Sequence, residues 1–185
     1  MTTNSDMKLQ DITALYFLIG EAVFMIQLLE GALSVSITLK KDVKHPGSMS
    51  KEEANNRLKK RQSLPLGRAI EVAKESNLYS DTLHNDLENF REERNWLIHK
   101  LVNHNLDDMY AASKRDELFH RIKTISNKAS MLQQTIETDL LEFSESKGMD
   151  ISRTRAAIKK HQLRPEGVLL ATSKIELPVR FVIQF

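Results

Sequence analysis

Apolar residues recur at spacings of three and four along most of this chain, and that periodicity decides what it can fold into. Between residues 6 and 41, Leu9, Ile12, Tyr16, Ile19, Val23, Ile26, Leu29 and Leu33 keep the interval. Between 108 and 146, Leu118, Ile122, Ile125, Ala129, Leu132, Ile136, Leu140 and Phe143 keep it again. Residues three and four apart gather on one face of an α-helix, so both stretches predict long amphipathic helices. In the first, Gly20 and Gly31 are points of close packing or weakness, and the β-branched run 35–38 favours a fraying end. Gly148 stands where a glycine C-cap closes the second.

The rest is shorter and more polar. HPG at 45–47 breaks the first helix, and KEEANNRLKKRQ reads as a connector or a short surface helix. Pro65 suits a first helical turn, with LGRAIEVAKES continuing as a short helix. After SNLYSD a longer helix runs from 81 to about 105. Residues 152–162 read as a last short helix, rich in arginine and lysine on its polar side. GVLLA and VRFVIQF are strand-like, with Pro178 before the second. A hairpin, a strand lent to a partner and a tail without fixed shape are all compatible with them. The expected fold is all-α: a bundle of four to five helices over 1–150, followed at 151–185 by the basic helix and a strand-like tail.

A chain of 185 residues that is 41% hydrophobic and 28% charged can bury one core and describes a soluble globular protein. It has no cysteine, which excludes disulfides, thiolate zinc sites and cysteine nucleophiles. A formal charge of +2 is too small to imply nucleic acid, so local clusters must decide. The N-terminus lacks a signal-peptide pattern. Glu21 and Glu30 interrupt the apolar stretch from 12 to 39 before it reaches the ~20 residues that span a bilayer. The expected location is the cytoplasm, away from membranes. The six histidines show no HExxH spacing and no convergent acidic cluster, and no Gly-rich phosphate loop is present, so neither metal nor cofactor is expected.

The informative segment is FREERNWLIHKLV, residues 90–102. Leu83, Leu87, Phe90, Leu97 and Leu101 share one side of its helix, and Arg94 occupies the gap between Phe90 and Leu97. A charge on a buried stripe is costly unless it pairs with an anion or snorkels to water. Glu93, Asp86 or the acids of neighbouring helices are the candidate partners. Glu92, Asn95, Trp96, His99 and Asn103 form a second face, in which Trp96 and Asn103 mark a surface for another helix or subunit. By spacing alone, an ion-paired arginine and a surface histidine are the ordinary reading.

The run Arg94-Asn95-Trp96-Leu97-Ile98-His99 resembles the Arg, four residues, His signature of the HEPN superfamily, with the asparagine common at its second position. The resemblance covers roughly residues 9 to 143: a long first helix, a connector, a short helix opening LGRAI, the motif helix and another long helix. One subgroup has a tyrosine two residues after the histidine. Leu101 stands there instead, so modification by a partner nucleotidyltransferase is not carried over.

The resemblance implies a metal-independent endoribonuclease, a homodimer that brings two motifs into one cleft. It further implies a toxin or phage-defence effector with RNA as substrate, restrained by an antitoxin or regulatory protein. The residue chemistry is compatible. His99 can move protons near neutral pH. Arg94 keeps its proton and can hold two phosphate oxygens as charge builds. Asn95 can orient either the histidine or the phosphate. One His99 per chain leaves acid or base missing, and a two-fold partner supplies it. Attack by the 2′-hydroxyl would leave a 2′,3′-cyclic phosphate and a 5′-hydroxyl. Lys59, Lys60, Arg61, Arg153, Arg155, Lys159 and Lys160 are candidate RNA-backbone contacts, although solvated basic faces are the default for such runs. The alternative is a non-catalytic dimeric helical module that uses the same surface to bind a protein or nucleotide.

Overall fold

A computed structural model describes residues 4–101, 103 and 112–152 of the chain. It contains five helices: α1 (Asn4–Ile37), α2 (Lys51–Gln62), α3 (Leu66–Glu75), α4 (Asp81–Asn95) and α5 (Ala112–Ser146). Two of them continue into π-helical segments, α1 through Thr38–Val43 and α4 through Trp96–Lys100. No strand occurs among the described residues. The expected basic helix beyond Ser152 and the strand-like tail lie outside them, as does the chain between α4 and α5 from 104 to 111.

The helices divide between two compact units. One unit combines the described residues of Met1–Glu30 and Pro65–Thr135. Here α1 buries Leu15, Ala22, Ile26 and Leu29, while α3 contributes Leu66, Ala69, Ile70 and Ala73. From α5, the expected stripe Leu118, Ile122, Ile125, Ala129 and Leu132 is buried throughout. The first part of α1 departs from expectation. Leu9, Ile12 and Tyr16 are exposed, Tyr16 by 70%, and Phe17 beside them is exposed as well. Apolar residues occur all round this helix, so several seams were available. The neighbours chose Leu15-Ala22-Ile26-Leu29, spaced seven, four and three. Two ion pairs join α1 to α5: Arg115 Nη1 lies 2.8 Å from Asp11 Oδ2, and Lys123 Nζ lies 2.8 Å from Glu21 Oε1. Both numbers of each pair rise together, so the helices run in the same direction within this unit.

The other unit takes in Gly31–Leu64 and the described residues from Ile136 onward. Its core joins Val35, Leu39, Val43, Ala54 and Leu140, with Met49, Leu58 and Phe143 packed against them. The expected fraying at 35–38 is corrected: Val35, Ile37 and Thr38 are fully buried and the chain stays helical through Val43. Burial of β-branched side chains outweighs their modest helix propensity. The polar connector contains α2. Ser50 Oγ accepts the backbone N–H of Glu53 at 3.2 Å, satisfying one of the free donors at the helix start. The sequence Ser50-Lys51-Glu52-Glu53 carries the composition of a capping box. At the end of α5, Met149 N–H donates to Ser144 O and Gly148 N–H to Glu145 O, with Gly148 at φ 73°. This is the Schellman arrangement, and glycine takes the left-handed position at no steric cost.

One described stretch, Leu9–Val43, is long and apolar enough to cross a membrane by length and composition.

Candidate functional site

Ser80 begins α4 by accepting the Leu83 N–H on its Oγ, at 3.3 Å. From there Leu83, Leu87, Phe90, Leu97 and Leu101 are all buried, as their spacing predicts. The gap in that seam holds Arg94, whose side chain is 25% exposed. Its Nη2 lies 3.6 Å from Glu30 Oε1 of α1, and its Nη1 donates to Asn95 Oδ1 at a long 3.5 Å. Arg94 Nε is buried and has no acceptor among the described residues. The partner acid is therefore Glu30, from a neighbouring helix. Burial pushes the Glu30 carboxyl above its ordinary range, while the Arg94 charge pulls it back down.

Glu93 faces elsewhere. Arg121 of α5 donates from Nε and Nη2 to Glu93 Oε2, at 3.2 and 3.1 Å. The same guanidinium lies over the indole of Trp96, 3.6 Å from the ring centroid. This stacking engages the flat face of a planar cation. Trp96, expected as the anchor of a partner surface, is half-buried and already holds a contact within its own chain.

At Trp96 the helix changes register. The Leu101 N–H donates to Trp96 O, five residues back. In a continuous α-helix a fifth residue sits about 140° round from the first. A turn closed over one more residue narrows that angle, and π segments of this kind occur frequently at functional sites. Ile98, His99 and Lys100 are exposed on the segment, and Asn103 beyond it is exposed too. Arg94 thus enters the site from a half-buried position, Asn95 touches it, and His99 presents its ring to solvent.

The basic residues belong to other places. Lys59 and Lys60 are exposed in the last turn of α2, in the second unit. Arg61 is held in a fork on Asp42, with Nε to Oδ2 at 3.2 Å and Nη2 to Oδ1 at 3.1 Å. Both side chains of that pair are mostly buried, so Arg61 serves packing in this structure. Arg153, Arg155, Lys159 and Lys160 lie outside the described residues. Among those described, no group of three or more histidine, aspartate or glutamate side chains is placed to hold a metal ion. His84 is buried, whereas His45 and His120 are exposed.

Sequence reasoning missed Glu30 and Arg121, the two side chains that hold Arg94 and Trp96. Neither has a local signature, because both approach from other helices. Comparison with protein-family models, curated proteins and solved structures gave no match.

Proposed function

We propose that this chain is a metal-independent endoribonuclease of the HEPN type, cytoplasmic, acting as a homodimer on RNA. The carrying observation is the juxtaposition at the α-to-π switch. A charged arginine is kept inside an apolar seam, and the histidine five residues on is solvent-facing on a segment that departs from α geometry. In this reading the partly exposed Arg94 guanidinium steadies the phosphate as it becomes pentavalent. Asn95, already in contact with Arg94, fixes the angle of the guanidinium. His99 moves the proton, taking it from the 2′-hydroxyl in one protomer and supplying the leaving 5′-oxygen from the other. No metal or cofactor is invoked, and a toxin or defence role with a restraining partner protein fits an activity of this kind. A cytoplasmic location agrees with the charged residues of the apolar first helix. Asp11, Glu21 and Glu30 are each paired with a cation from another helix.

The test is cleavage of total RNA in EDTA by the wild type, Arg94→Ala and His99→Ala chains, with the new ends mapped. The expected result is cyclic-phosphate ends from the wild type only, with all three chains folded and equally associated. Loss of fold in both variants, or cleavage that persists in them, defeats the reading.

A second reading has its own observation. The Arg94–Glu30 pair is what a purely structural arginine would make, and the exposed Leu9, Ile12, Tyr16 and Phe17 offer an apolar surface. Both suit a non-catalytic dimeric module that binds a protein or nucleotide. Absence of cleavage from a folded, dimeric wild type favours it.

A further inference from the structure

We propose that Arg121 is a positioning residue for His99: stacked on Trp96 and tied to Glu93, it holds the motif helix in its π register over Trp96–Lys100.

The π register needs an explanation, because i→i+5 bonding is rare and less favourable than the α-helix it interrupts. The apolar core does not supply one. Phe90, Leu97 and Leu101 are spaced by seven and four, an interval that an uninterrupted α-helix would bury equally well. The Arg94 contacts lie before the switch and are common to either register. What sits at the switch itself is Trp96, whose carbonyl is the one taken by Leu101 N–H. Its indole is covered by the Arg121 guanidinium at 3.6 Å. Arg121 in turn donates twice to Glu93, one turn earlier on the same helix. Two points of the motif helix on the near side of the switch are therefore fixed to α5 by one planar cation.

Relaxation to α geometry would give the Trp96 carbonyl to Lys100 N–H and turn the following residues by up to about 100°. His99 is the residue whose direction would change most consequentially. Arg121 is 44% exposed, so the clasp is open to solvent and to competing anions. Lysine could sit over the ring, but it lacks the planar fork that holds ring and carboxylate together. The catalytic consequence rests on the ribonuclease reading above, whereas the register itself does not.

The full chain is compared with Arg121→Ala and Arg121→Lys by scalar couplings across hydrogen bonds, which identify the acceptor of each N–H directly. In the wild type, the Leu101 nitrogen should couple to the Trp96 carbonyl carbon. In Arg121→Ala that coupling should pass to Lys100, with partial retention in Arg121→Lys. If Arg121→Ala does not fold, a weakened or lost Leu101 coupling in folded Arg121→Lys supports the proposal and full retention overturns it. On RNA, kcat should fall by about 100-fold with KM unchanged, the cost of misplacing a reacting group by about 1 Å. An unchanged coupling in Arg121→Ala overturns the proposal. So does a raised KM with kcat intact, which would make Arg121 a direct RNA contact. If the wild type cleaves no RNA, the ribonuclease reading fails alone and the couplings still decide the clasp.

Discussion

Replacing Arg94 by alanine should destabilise the fold in a way that depends on pH, because the change removes the cation beside the half-buried Glu30 carboxylate. The two charges are 3.6 Å apart, with side chains 25% and 33% exposed. At an effective dielectric constant of about 20, the gross attraction is about 4–5 kcal/mol. Desolvation offsets much of it, and solvent access screens more, so about 2 kcal/mol is the expected cost at pH 7. For a chain of this size that lowers Tm by about 4–8 °C. The sign with pH follows from Glu30. Burial first, against the opposing pull of Arg94, raises its folded pKa above its ordinary value of 4.5. The folded state therefore holds the Glu30 proton more tightly than the unfolded state. Stability is lost as pH rises from 4.5 through the folded value, and without Arg94 this loss deepens. At pH 4.5 and below, Glu30 is largely protonated in the folded variant, leaving mainly the lost packing of the arginine stem, about 1 kcal/mol. Urea unfolding of wild type, Arg94→Ala, Glu30→Ala and the double variant at pH 4.5 and 7 measures both quantities. Equal losses for Arg94→Ala at the two pH values, or additivity within about 0.3 kcal/mol, would refute the coupling.

Other consequences are simpler to state. His84 is 5% exposed, and neither ring nitrogen has a hydrogen-bond partner among the described residues. Burial, then Lys74, holds its pKa below 6.5 against Asp81 and Glu88, so its stabilising contribution should be full above pH 6.5 and fall as pH drops through the folded value. Unfolding of His84→Leu between pH 5 and 7 should show a flatter profile than the wild type. Ser36 is fully buried with its hydroxyl unsatisfied among the described residues, so Ser36→Ala should be neutral or up to about 1 kcal/mol stabilising in denaturant titration. A Cβ at Gly20 would meet nothing within 4 Å, so Gly20→Ala should stabilise by about 0.5–1 kcal/mol; a loss instead would show that another chain packs there. His99 is exposed, and His99→Ala should change stability by less than about 0.5 kcal/mol in the same titration while removing cleavage.

The parts of this protein that were legible in its sequence are those encoded by local spacing. The seam Leu83-Leu87-Phe90-Leu97-Leu101, the α5 stripe from Leu118 to Leu140 and the Gly148 cap each follow from residues within a few turns of one another. Pairing between helices was not legible. Glu30 reaches Arg94, and Arg121 reaches Trp96, across stretches of chain with no shared pattern. The burial of Leu15 in place of Tyr16 was a choice among several apolar faces that only neighbouring helices could make. Helix α2 had a readable signal in Ser50 and Glu53, which the polar composition around it obscured. The π step at Trp96 is the subtlest case, since it alters hydrogen-bond register without disturbing the spacing of the leucines.

The ion pairs between α1 and α5 bear on how the chain is made. Lys123 and Glu21 are 102 residues apart. Synthesis proceeds at roughly 5–20 residues per second, so α1 leaves the ribosome about 5–20 s before the helix that pairs with it. During that interval Asp11 and Glu21 have no α5 cation to pair with, and the apolar surface around Leu9 and Tyr16 is open from the start. The nascent first helix is thus a natural client for a chaperone, and its pairing with α5 waits until the second long helix has been made.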